Sequence, residues 1–357
     1  MKSRNGRHRL DEDRIVVLGD TGNHYFDEDV LRLVNLAGRA AIDFDNCDYD
    51  DFPDGESKMR IRAPERIKGN HVVIFCSPID DGLELDLRDL VFAAKQQYRA
   101  AKITVVMAFM RYRRQDREEK EHEIHRLYCF LRDLKHWGAD TLIVCDPHAE
   151  ATTLSYGRRI RLKILVADPT YVFADTLRPL VQTYGSSQEV LVYSPDFGSV
   201  ERCFRLARML GLPVLATPKI RQPNGEIVSV NNRDFLQQIQ EAFGTDVPAF
   251  CDPNRARGMH VFMREDEVDS GNTAAKTARR LLEAGARTVH LAATHAVCSP
   301  GWRDNLFPPG KEHPFDTVWM GTTRLRDYRL STGKRVNRID MAPVVAHELL
   351  RVLPYEK

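Results

Sequence analysis

Short apolar segments rich in β-branched residues alternate along the chain with amphipathic segments of helical periodicity. Between Leu87 and Tyr98, for example, apolar side chains recur every three or four residues and therefore share one helix face. Strand–helix–strand alternation predicts an α/β fold with parallel sheets covered by helices. The predicted strands are Arg14–Leu18, His71–Cys76, Ile103–Phe109, Thr141–Cys145, Val190–Tyr193, Pro213–Thr217, Met259–Met263 and Thr288–Ala293.

One local pattern occurs three times: a helix end, a small residue and then a strand, near Ala100, Gly138 and Gly285. Ordinary α/β connections explain this pattern, because helices commonly end at such residues. A duplication that produced two related α/β domains explains it as well. The length of 357 residues is compatible with two domains of ordinary size or with one large domain.

The charge of the chain excludes one class of partner. Its 52 Lys and Arg residues nearly balance 51 Asp and Glu residues, for a net charge of +1. Binding to nucleic acid through phosphates usually requires a basic excess, so we expect no nucleic-acid partner. No segment is long and apolar enough to cross a bilayer, and the first residues lack a signal-peptide core. The seven cysteines are scattered, without CxxC spacing, so we expect reduced thiols in a soluble cytoplasmic protein without a membrane partner.

The most informative segment follows the predicted strand that begins at Met259. This strand ends in Glu265 and Asp266, and a turn of small residues leads from there into a helix. Backbone N–H groups at a helix N-terminus, together with the Ser270 and Thr273 hydroxyls, can bind a phosphate. The preceding acids suit sugar hydroxyls or a metal, so the segment indicates a ribose-phosphate site. An acidic, solvated loop with an ordinary helix cap is the alternative.

This loop resembles the ribose-phosphate-binding loop of the type I phosphoribosyltransferase fold, which includes the phosphoribosyl-pyrophosphate (PRPP) synthetases. Six further segments resemble motifs of the synthetases and follow the order of that family. They are Phe52-Pro53-Asp54-Gly55-Glu56, Phe109 to Arg117, Asp146-Pro147-His148-Ala149, Ser194-Pro195-Asp196-Phe197-Gly198, Lys219-Ile220-Arg221 and Met341 to Ala346. Six short motifs in the right order are far more specific than any one of them.

The resemblance implies a ribose-phosphate diphosphokinase. Such an enzyme transfers the β,γ-diphosphate of Mg-ATP to the anomeric 1-hydroxyl of ribose 5-phosphate, which gives PRPP and AMP. It implies Lys219 and Arg221 as catalytic residues, Mg²⁺ as the cofactor, and His148 and Asp196 as metal ligands. The implied ATP-binding residues are Phe52, Asp54, Glu56, Arg114, Gln115, Asp116 and Arg117. The implied ribose-phosphate-binding residues are Asp196, Glu265, Asp266, Asp269, Ser270, Gly271, Asn272 and Thr273.

These residue types suit the implied chemistry. Diphosphoryl transfer depends on positioning and on cations that spread the developing charge. Arg114 can bind a phosphate through two N–H groups, and a mobile loop with Lys219 and Arg221 can close over the phosphates. Taken alone, Arg111–Arg117 is also typical of a solvated basic helix start, and His148 of a hydrogen-bonded histidine at a strand end.

The resemblance further implies two duplicated phosphoribosyltransferase-like domains, each a parallel β-sheet flanked by helices. Residues 1–165 would form the ATP-side domain and 166–335 the ribose-phosphate-binding domain, with a C-terminal helix, about 336–357, packing back on the first. The active site would lie between them, at the C-terminal ends of the strands. If Phe52–Glu56 contacts the adenine of a neighbouring subunit, the protein is a homo-oligomer, dimer-based and possibly hexameric.

Three departures from the family pattern indicate a divergent paralogue. Glu118–Arg126 does not match the segment on which the family's regulatory contacts draw, so conventional allosteric control is not expected. Glu265-Asp266 replaces Asp-Asp, and Gly271-Asn272 replaces Gly-Gly or Cys-Gly. The segments Pro218–Ile227 and Ser299–Pro314 also differ from the common bacterial enzymes.

The departures leave alternatives open. An acceptor with a larger 5′ group, such as ADP-ribose, would undergo the same chemistry with a different pocket around Asn272. A phosphoribosyltransferase would not need Arg114, Gln115 or the Lys219/Arg221 loop. The alternative from another class is a non-catalytic regulatory subunit resembling the PRPP-synthetase-associated proteins. Such a subunit would not need Lys219, Arg221, His148 or Asp196. His295 follows a predicted strand and receives no role.

Overall fold

Five parallel strands form the first sheet of the computed structural model, which describes residues 15–21, 23–38, 47–118, 121–185, 188–195, 198–216, 219–221, 227–229, 253–324 and 335–353. From one edge to the other the strands follow the order of the chain. They are β1 (Ile15–Thr21), β4 (His71–Cys76), β5 (Lys102–Met107), β6 (Thr141–Cys145) and β7 (Lys163–Ala167).

Helices cover both faces of this sheet. They are α1 (His24–Leu36), α2 (Asp81–Phe92) with a π-helical turn at Ala93–Gln97, α3 (Arg126–Trp137) and α4 (Glu150–Ile160). Successive residues of a strand point to opposite faces, so Val16 and Val17 belong to different apolar clusters. A strand buried on both faces must be apolar throughout, which explains why these strands are continuous apolar runs.

The second sheet has six strands, and all neighbouring strands are again parallel. In chain order they are β8 (Val190–Ser194), β9 (Val214–Ala216), β12 (His260–Val268), β13 (Thr288–Ala296), β14 (Thr317–Gly321) and β15 (Val336–Ile339). Across the sheet the order is β15-β14-β13-β12-β8-β9. The helices of this half are α5 (Thr170–Tyr184), α6 (Val200–Leu210), α7 (Asn272–Glu283) and the short α8 (Trp302–Leu306).

Two antiparallel hairpins complete the described strands. The first joins β2 (Cys47–Asp51) to β3 (Ser57–Ile61), and the second joins β10 (Lys219–Arg221) to β11 (Ile227–Ser229). Neither hairpin pairs with one of the two large sheets.

One apolar cluster connects the two halves of the molecule. It contains Val17 and Val106 of the first sheet, Val192 of the second sheet and Phe173 of α5. The last helix, α9 (Ala342–Leu350), follows the second sheet in the chain but packs against α1, β6 and β7 of the first. This shared core brings the two sheets into one packed body.

The α/β prediction with two parallel sheets flanked by helices is confirmed. Each of the eight predicted strands overlaps an observed strand. The strands β7, β14 and β15 and both hairpins were missed. The strand β15 and the first hairpin lack an apolar run, whereas β7 and β14 are as long as the predicted β6. In the described ranges, no helix is both long enough and apolar enough to cross a membrane.

Candidate active site

The candidate site lies where the C-terminal ends of strands from the two sheets face each other. His148 follows β6 of the first sheet, and Asp266 lies near the end of β12 of the second. His148 Nδ1 lies 2.7 Å from a carboxylate oxygen of Asp266. The carboxyl edge of parallel sheets is where α/β proteins bind ligands, so we take the edge at this contact as the candidate binding site and call it the cleft.

The His148–Asp266 pair changes the ionisation of both residues. The hydrogen bond from His148 Nδ1 raises the pKa of the imidazole, against the effect of its own partial burial. Burial would raise the pKa of Asp266, but the His148 hydrogen bond and the nearby Arg202 charge lower it to about 2. Asp266 is therefore an anion at neutral pH, and because a carboxylate can only accept, Nδ1 is the donor. This contact leaves Nε2, on the opposite side of the ring, as the nitrogen able to bind a ligand.

A second group of ion pairs joins the segment after β5 to the predicted ribose-phosphate loop. Arg113 and Arg114 both form ion pairs with Glu267, and Arg114 Nη1 also lies 2.8 Å from Asp269. Burial would raise the pKa of Asp269, but hydrogen bonds from Ser299 and Arg114 lower it. The ATP-side segment and the acceptor-side loop are therefore in direct contact.

The loop itself ends in an exposed helix N-terminus. Gly271 has φ +72° and precedes α7, whose first turn exposes Asn272 and Thr273. A Cβ atom at Gly271 would lie 2.7 Å from the Leu306 side chain, so both the backbone conformation and the packing favour glycine. Gly271 has no side chain to cap α7. The Asn272 N–H donates to the Ser270 hydroxyl over a long distance of 3.5 Å, and a phosphate at this helix N-terminus could replace that weak contact.

Residues around α8 form hydrogen bonds with this loop. The Ser299 hydroxyl donates to Asp269, and Asn305 Nδ2 donates to the Ser270 carbonyl at 2.8 Å. These contacts come from Ser299–Pro314, the segment that differs from the common bacterial enzymes; its sequence reads as a loop, but the structure places the short helix α8 within it. The segment fixes the backbone that would hold a phosphate.

Below the cleft, a buried cluster centres on Asp146, which we call the Asp146 cluster. Its carboxylate accepts hydrogen bonds from Arg264 Nη2 at 2.6 Å, Thr294 Oγ1 at 2.5 Å and Arg202 Nε at 3.3 Å. Burial alone would raise the pKa of Asp146, but the two guanidinium groups outweigh it and hold that pKa far below its usual range. Asp146 belongs to the first half of the molecule and its partners to the second, so the cluster connects the two.

His295 belongs to this buried region rather than to the cleft surface. Its Nδ1 lies 2.6 Å from Thr323 Oγ1, and its Nε2 lies 3.3 Å from the Asp146 carbonyl oxygen. The imidazole also packs edge-on against Phe109, with the ring centroids 5.1 Å apart. Burial lowers the pKa of His295. With both ring nitrogens occupied, His295 has a structural role.

The predicted ATP-binding segment forms turns after β5 rather than the alternative helix start. Gln115 and Arg117 are exposed, as is Arg114 for half of its side chain. Asp116 is buried, and its carbonyl oxygen accepts a hydrogen bond from the Tyr156 hydroxyl at 2.5 Å. The segment therefore has a fixed backbone and presents polar side chains to the cleft and to solvent.

The other predicted ATP-binding residues lie apart from this segment. Phe52, Asp54 and Glu56 occupy the exposed turn between β2 and β3. Within it, the Phe52 N–H donates to the Glu56 carbonyl at 2.7 Å and the Glu56 N–H donates to Asp54 at 3.1 Å. The Phe52 ring is about half exposed, and the Lys58 ammonium lies 5.3 Å from its centroid.

Two predictions fall where side chains are not described. Asp196 lies outside the described residues. Lys219 and Arg221 belong to β10, where Lys219 pairs with Ser229 and Arg221 with Ile227, but the two side chains are outside the described part of the chain. Their predicted roles remain predictions.

Sequence reasoning missed the cations and the acid that join the two halves. Arg264 and Arg202 are both buried. Arg264 directly follows the apolar run Val261–Met263 of β12 and precedes three acids, so its place at the end of a buried run is only a weak signal of a buried ion pair. Arg113 and Glu267 carry no comparable signal, because adjacent charged residues surround them in the sequence. Their pairing appears only in three dimensions.

Of the two predicted metal ligands, only His148 lies among the described residues, and it offers one nitrogen donor. Among the described residues, no group of three or more His, Cys, Asp or Glu side chains is arranged to hold a metal. Mg²⁺ generally uses one or two protein ligands together with substrate phosphates and water. His148 has one ring nitrogen fixed by Asp266, as is typical of histidines that bind metals through the other nitrogen.

Comparisons with known proteins agree with this geometry. A family model described as the N-terminal domain of ribose phosphate pyrophosphokinase matches residues 16–138. The ribose-phosphate pyrophosphokinase of Sulfurisphaera tokodaii is 25% identical over 94% of this chain and 100% of its own length. That of Ralstonia nicotianae is 26% identical over 96% of each protein. Among solved structures, a phosphoribosylpyrophosphate synthetase from Mycobacterium smegmatis has a TM-score of 0.71 at 20% identity, covering 95% of this chain and 98% of that one.

Proposed function

Because the chain belongs to the ribose-phosphate pyrophosphokinase family of transferases, we propose that it makes PRPP from ATP and ribose 5-phosphate. The proposed reaction moves the β,γ-diphosphate of ATP to the 1-hydroxyl of the sugar and releases AMP. One observation carries the proposal: Arg114 and His148, from the ATP side, contact the loop that ends at an exposed helix N-terminus. A polyphosphate and a sugar phosphate would thus meet across a single cleft.

In the proposed complex each side chain has a role that matches its chemistry. The 5-phosphate of the acceptor binds the N-terminus of α7 and the hydroxyls of Ser270 and Thr273. The ring hydroxyls bind the carboxylates of Asp266, Glu265 and Asp196. This arrangement directs the anomeric hydroxyl towards the ATP side of the cleft.

On the ATP side, Arg114 and Gln115 bind the phosphates. Asp116 and Arg117 are the other predicted ATP-binding residues of this segment. The anomeric oxygen attacks the β-phosphorus, and the bond from that phosphorus to the α-phosphate oxygen breaks to release AMP. Lys219 and Arg221 would stabilise the charge that develops on the transferred group. Bound Mg²⁺, held by His148 and Asp196, would neutralise phosphate charge.

Phe52, Asp54 and Glu56 have a separate proposed role. Their exposed turn and half-exposed aromatic ring suit contact with the adenine bound to a neighbouring subunit. We therefore propose a homo-oligomer built from dimers. A protein that is fully active as a monomer would contradict this part of the proposal.

The test is AMP release by the purified chain with Mg-ATP and a panel of acceptors: ribose 5-phosphate, ADP-ribose and related sugar phosphates. AMP release with ribose 5-phosphate is the expected result. Release with only another acceptor, such as ADP-ribose, would replace ribose 5-phosphate in the proposal. No release with any acceptor would favour the regulatory subunit.

A variant of the loop tests the catalytic assignment. Lys219→Ala is expected to reduce kcat about a thousandfold, because a cation that acts on the transition state is lost, while ATP binding changes much less. The measurement is kcat from AMP release beside the dissociation constant for Mg-ATP. An unchanged kcat would remove Lys219 from the mechanism.

A further inference from the structure

We propose that Glu267 is a positioning residue that holds Arg114 on the acceptor loop of the substrate-free protein and gives it up when ATP binds. Glu267 was not assigned to the site by its sequence. It lies one residue beyond the His148 partner Asp266 and two before Asp269. The proposal rests on ATP being a substrate, as proposed above.

The two arginines that share Glu267 differ in how firmly they are held. The Arg113 side chain is only 13% exposed, and its guanidinium lies 4.4 Å from the centroid of the Phe109 ring. The Arg114 side chain is 49% exposed, and its other partner is the partly exposed Asp269. Arg113 therefore fixes the Glu267 carboxylate in place, and Arg114 is the partner that can leave.

The present contacts of Arg114 conflict with phosphate binding. One of its terminal nitrogens is paired with Glu267 and the other with Asp269. Two-pronged binding of a phosphate needs these same nitrogens. ATP must therefore displace both carboxylates from Arg114 before the guanidinium can bind its phosphates.

The competition connects the two substrates. When Arg114 leaves for the polyphosphate, Asp269 loses a cation but keeps its hydrogen bond from Ser299. Asp269 begins the loop proposed to bind the acceptor, so the exchange frees one of that loop's carboxylates. The ion pair with Glu267 thus determines how much free energy is needed to move Arg114 from the acceptor loop to the ATP phosphates.

Calorimetric titration of Mg-ATP into the protein without acceptor tests the proposal. Glu267→Gln removes the charge that competes for Arg114, so the ATP dissociation constant should fall about fivefold, the size expected for a partly exposed ion pair. Glu150→Gln is the matched control, because Glu150 of α4 pairs with Arg205 of α6 across the same two halves without contacting Arg114. Its ATP affinity should equal that of the unaltered chain.

A double variant keeps the test valid if Glu267→Gln does not fold. Arg113→Met with Glu267→Met removes one charge of each sign, so the net charge is unchanged, and an apolar pair can replace a buried ion pair with little loss of stability. Tighter ATP binding by this variant supports the proposal. Unchanged or weaker binding by both folded variants overturns it, since a purely structural ion pair cannot tighten binding when it is lost.

The same titration separates this proposal from the proposed function. If the unaltered chain does not bind Mg-ATP, the proposed function fails, and the role of Glu267 fails with it. If the unaltered chain binds Mg-ATP and the variants bind no more tightly, only the role of Glu267 is overturned.

Discussion

Two of the clusters of arginines and carboxylates that cross between the halves of the molecule differ in their access to water. In the Asp146 cluster, Asp146, Arg202 and Arg264 are all buried. In the second, which we call the Glu267 cluster, Glu267 is nearly buried but Arg114 is half exposed. The same residue types therefore serve two purposes. A fully enclosed network maintains the relative position of the sheets, and a network open on one side can exchange a partner for a ligand.

The largest expected effect is at the enclosed cluster. Asp146→Asn removes the charge that neutralises two buried guanidinium groups, and the expected loss in the free energy of unfolding is about 3–5 kcal/mol. Urea denaturation, followed by circular dichroism, measures it. A loss below about 1 kcal/mol would mean that water or another anion reaches these arginines, and the contrast between the clusters would disappear.

The same chemical change at the open cluster should cost less. Glu267→Gln is expected to lower the free energy of unfolding by about 1–2 kcal/mol, because only Arg113 is left as a mostly buried cation without its partner, while Arg114 can turn to solvent. The comparison uses the same urea experiment as Asp146→Asn. Equal losses at the two positions would show that Arg114 is held as rigidly as Arg264.

The pKa values of His148 and His295 are shifted in opposite directions. Asp266 accepts a hydrogen bond from His148 Nδ1 and thereby raises the pKa of His148 above its ordinary value of 6.5. Burial instead lowers the pKa of His295 below 6.5. Stability from the charged His148 is therefore present below pH 6.5 and lost as the pH rises through its folded value. For His295 the sign is opposite, and protonation opposes folding as the pH falls below 6.5.

NMR titration of the imidazole protons, in buffer with a metal chelator, measures both values. In Asp266→Asn the pKa of His148 should fall, because its hydrogen-bond acceptor no longer carries a charge, and that of His295 should change much less. A His148 pKa that stays in place in this variant would contradict the assigned pair.

The smallest expected effect concerns the support of the loop. Ser299→Ala removes one hydrogen bond to Asp269, which keeps its contact with Arg114. The dissociation constant for ribose 5-phosphate should rise about two- to fivefold, the equivalent of one modest hydrogen bond. Thr277→Ala, which removes a buried hydroxyl and a methyl group from α7 away from the loop, is the control. An equal rise in the dissociation constant of this control would show that the effect is not specific to Ser299.

Much of the fold could be predicted because its signals are local. The apolar runs at Val72–Cys76 and Leu142–Cys145 need burial on both faces, which only a covered parallel sheet provides. The β2–β3 hairpin could not be predicted in the same way, because its strands, Cys47–Asp51 and Ser57–Ile61, are mostly polar and exposed. Its stability depends on cross-strand pairing rather than on an apolar pattern.

In the candidate site, too, one part could be predicted from local sequence and another part could not. The segment from Glu265 to Thr273 could be located because a strand end, a small-residue turn and a helix start stand in one stretch of sequence. The pairing of Arg113 and Arg114 with Glu267 spans more than 150 residues, and one charged residue in an acidic run does not identify its partner. Which charged residues pair depends on how the two halves pack together through the shared apolar core.

In the proposed reaction a diphosphate, rather than a single phosphate, moves from ATP to the sugar. The most direct test supplies ATP labelled at the β-phosphorus together with ribose 5-phosphate and Mg²⁺, and separates the products. The expected products are unlabelled AMP and a sugar 1-diphosphate that carries the label. Label recovered in ADP or inorganic phosphate, with none on the sugar, would contradict the proposed reaction.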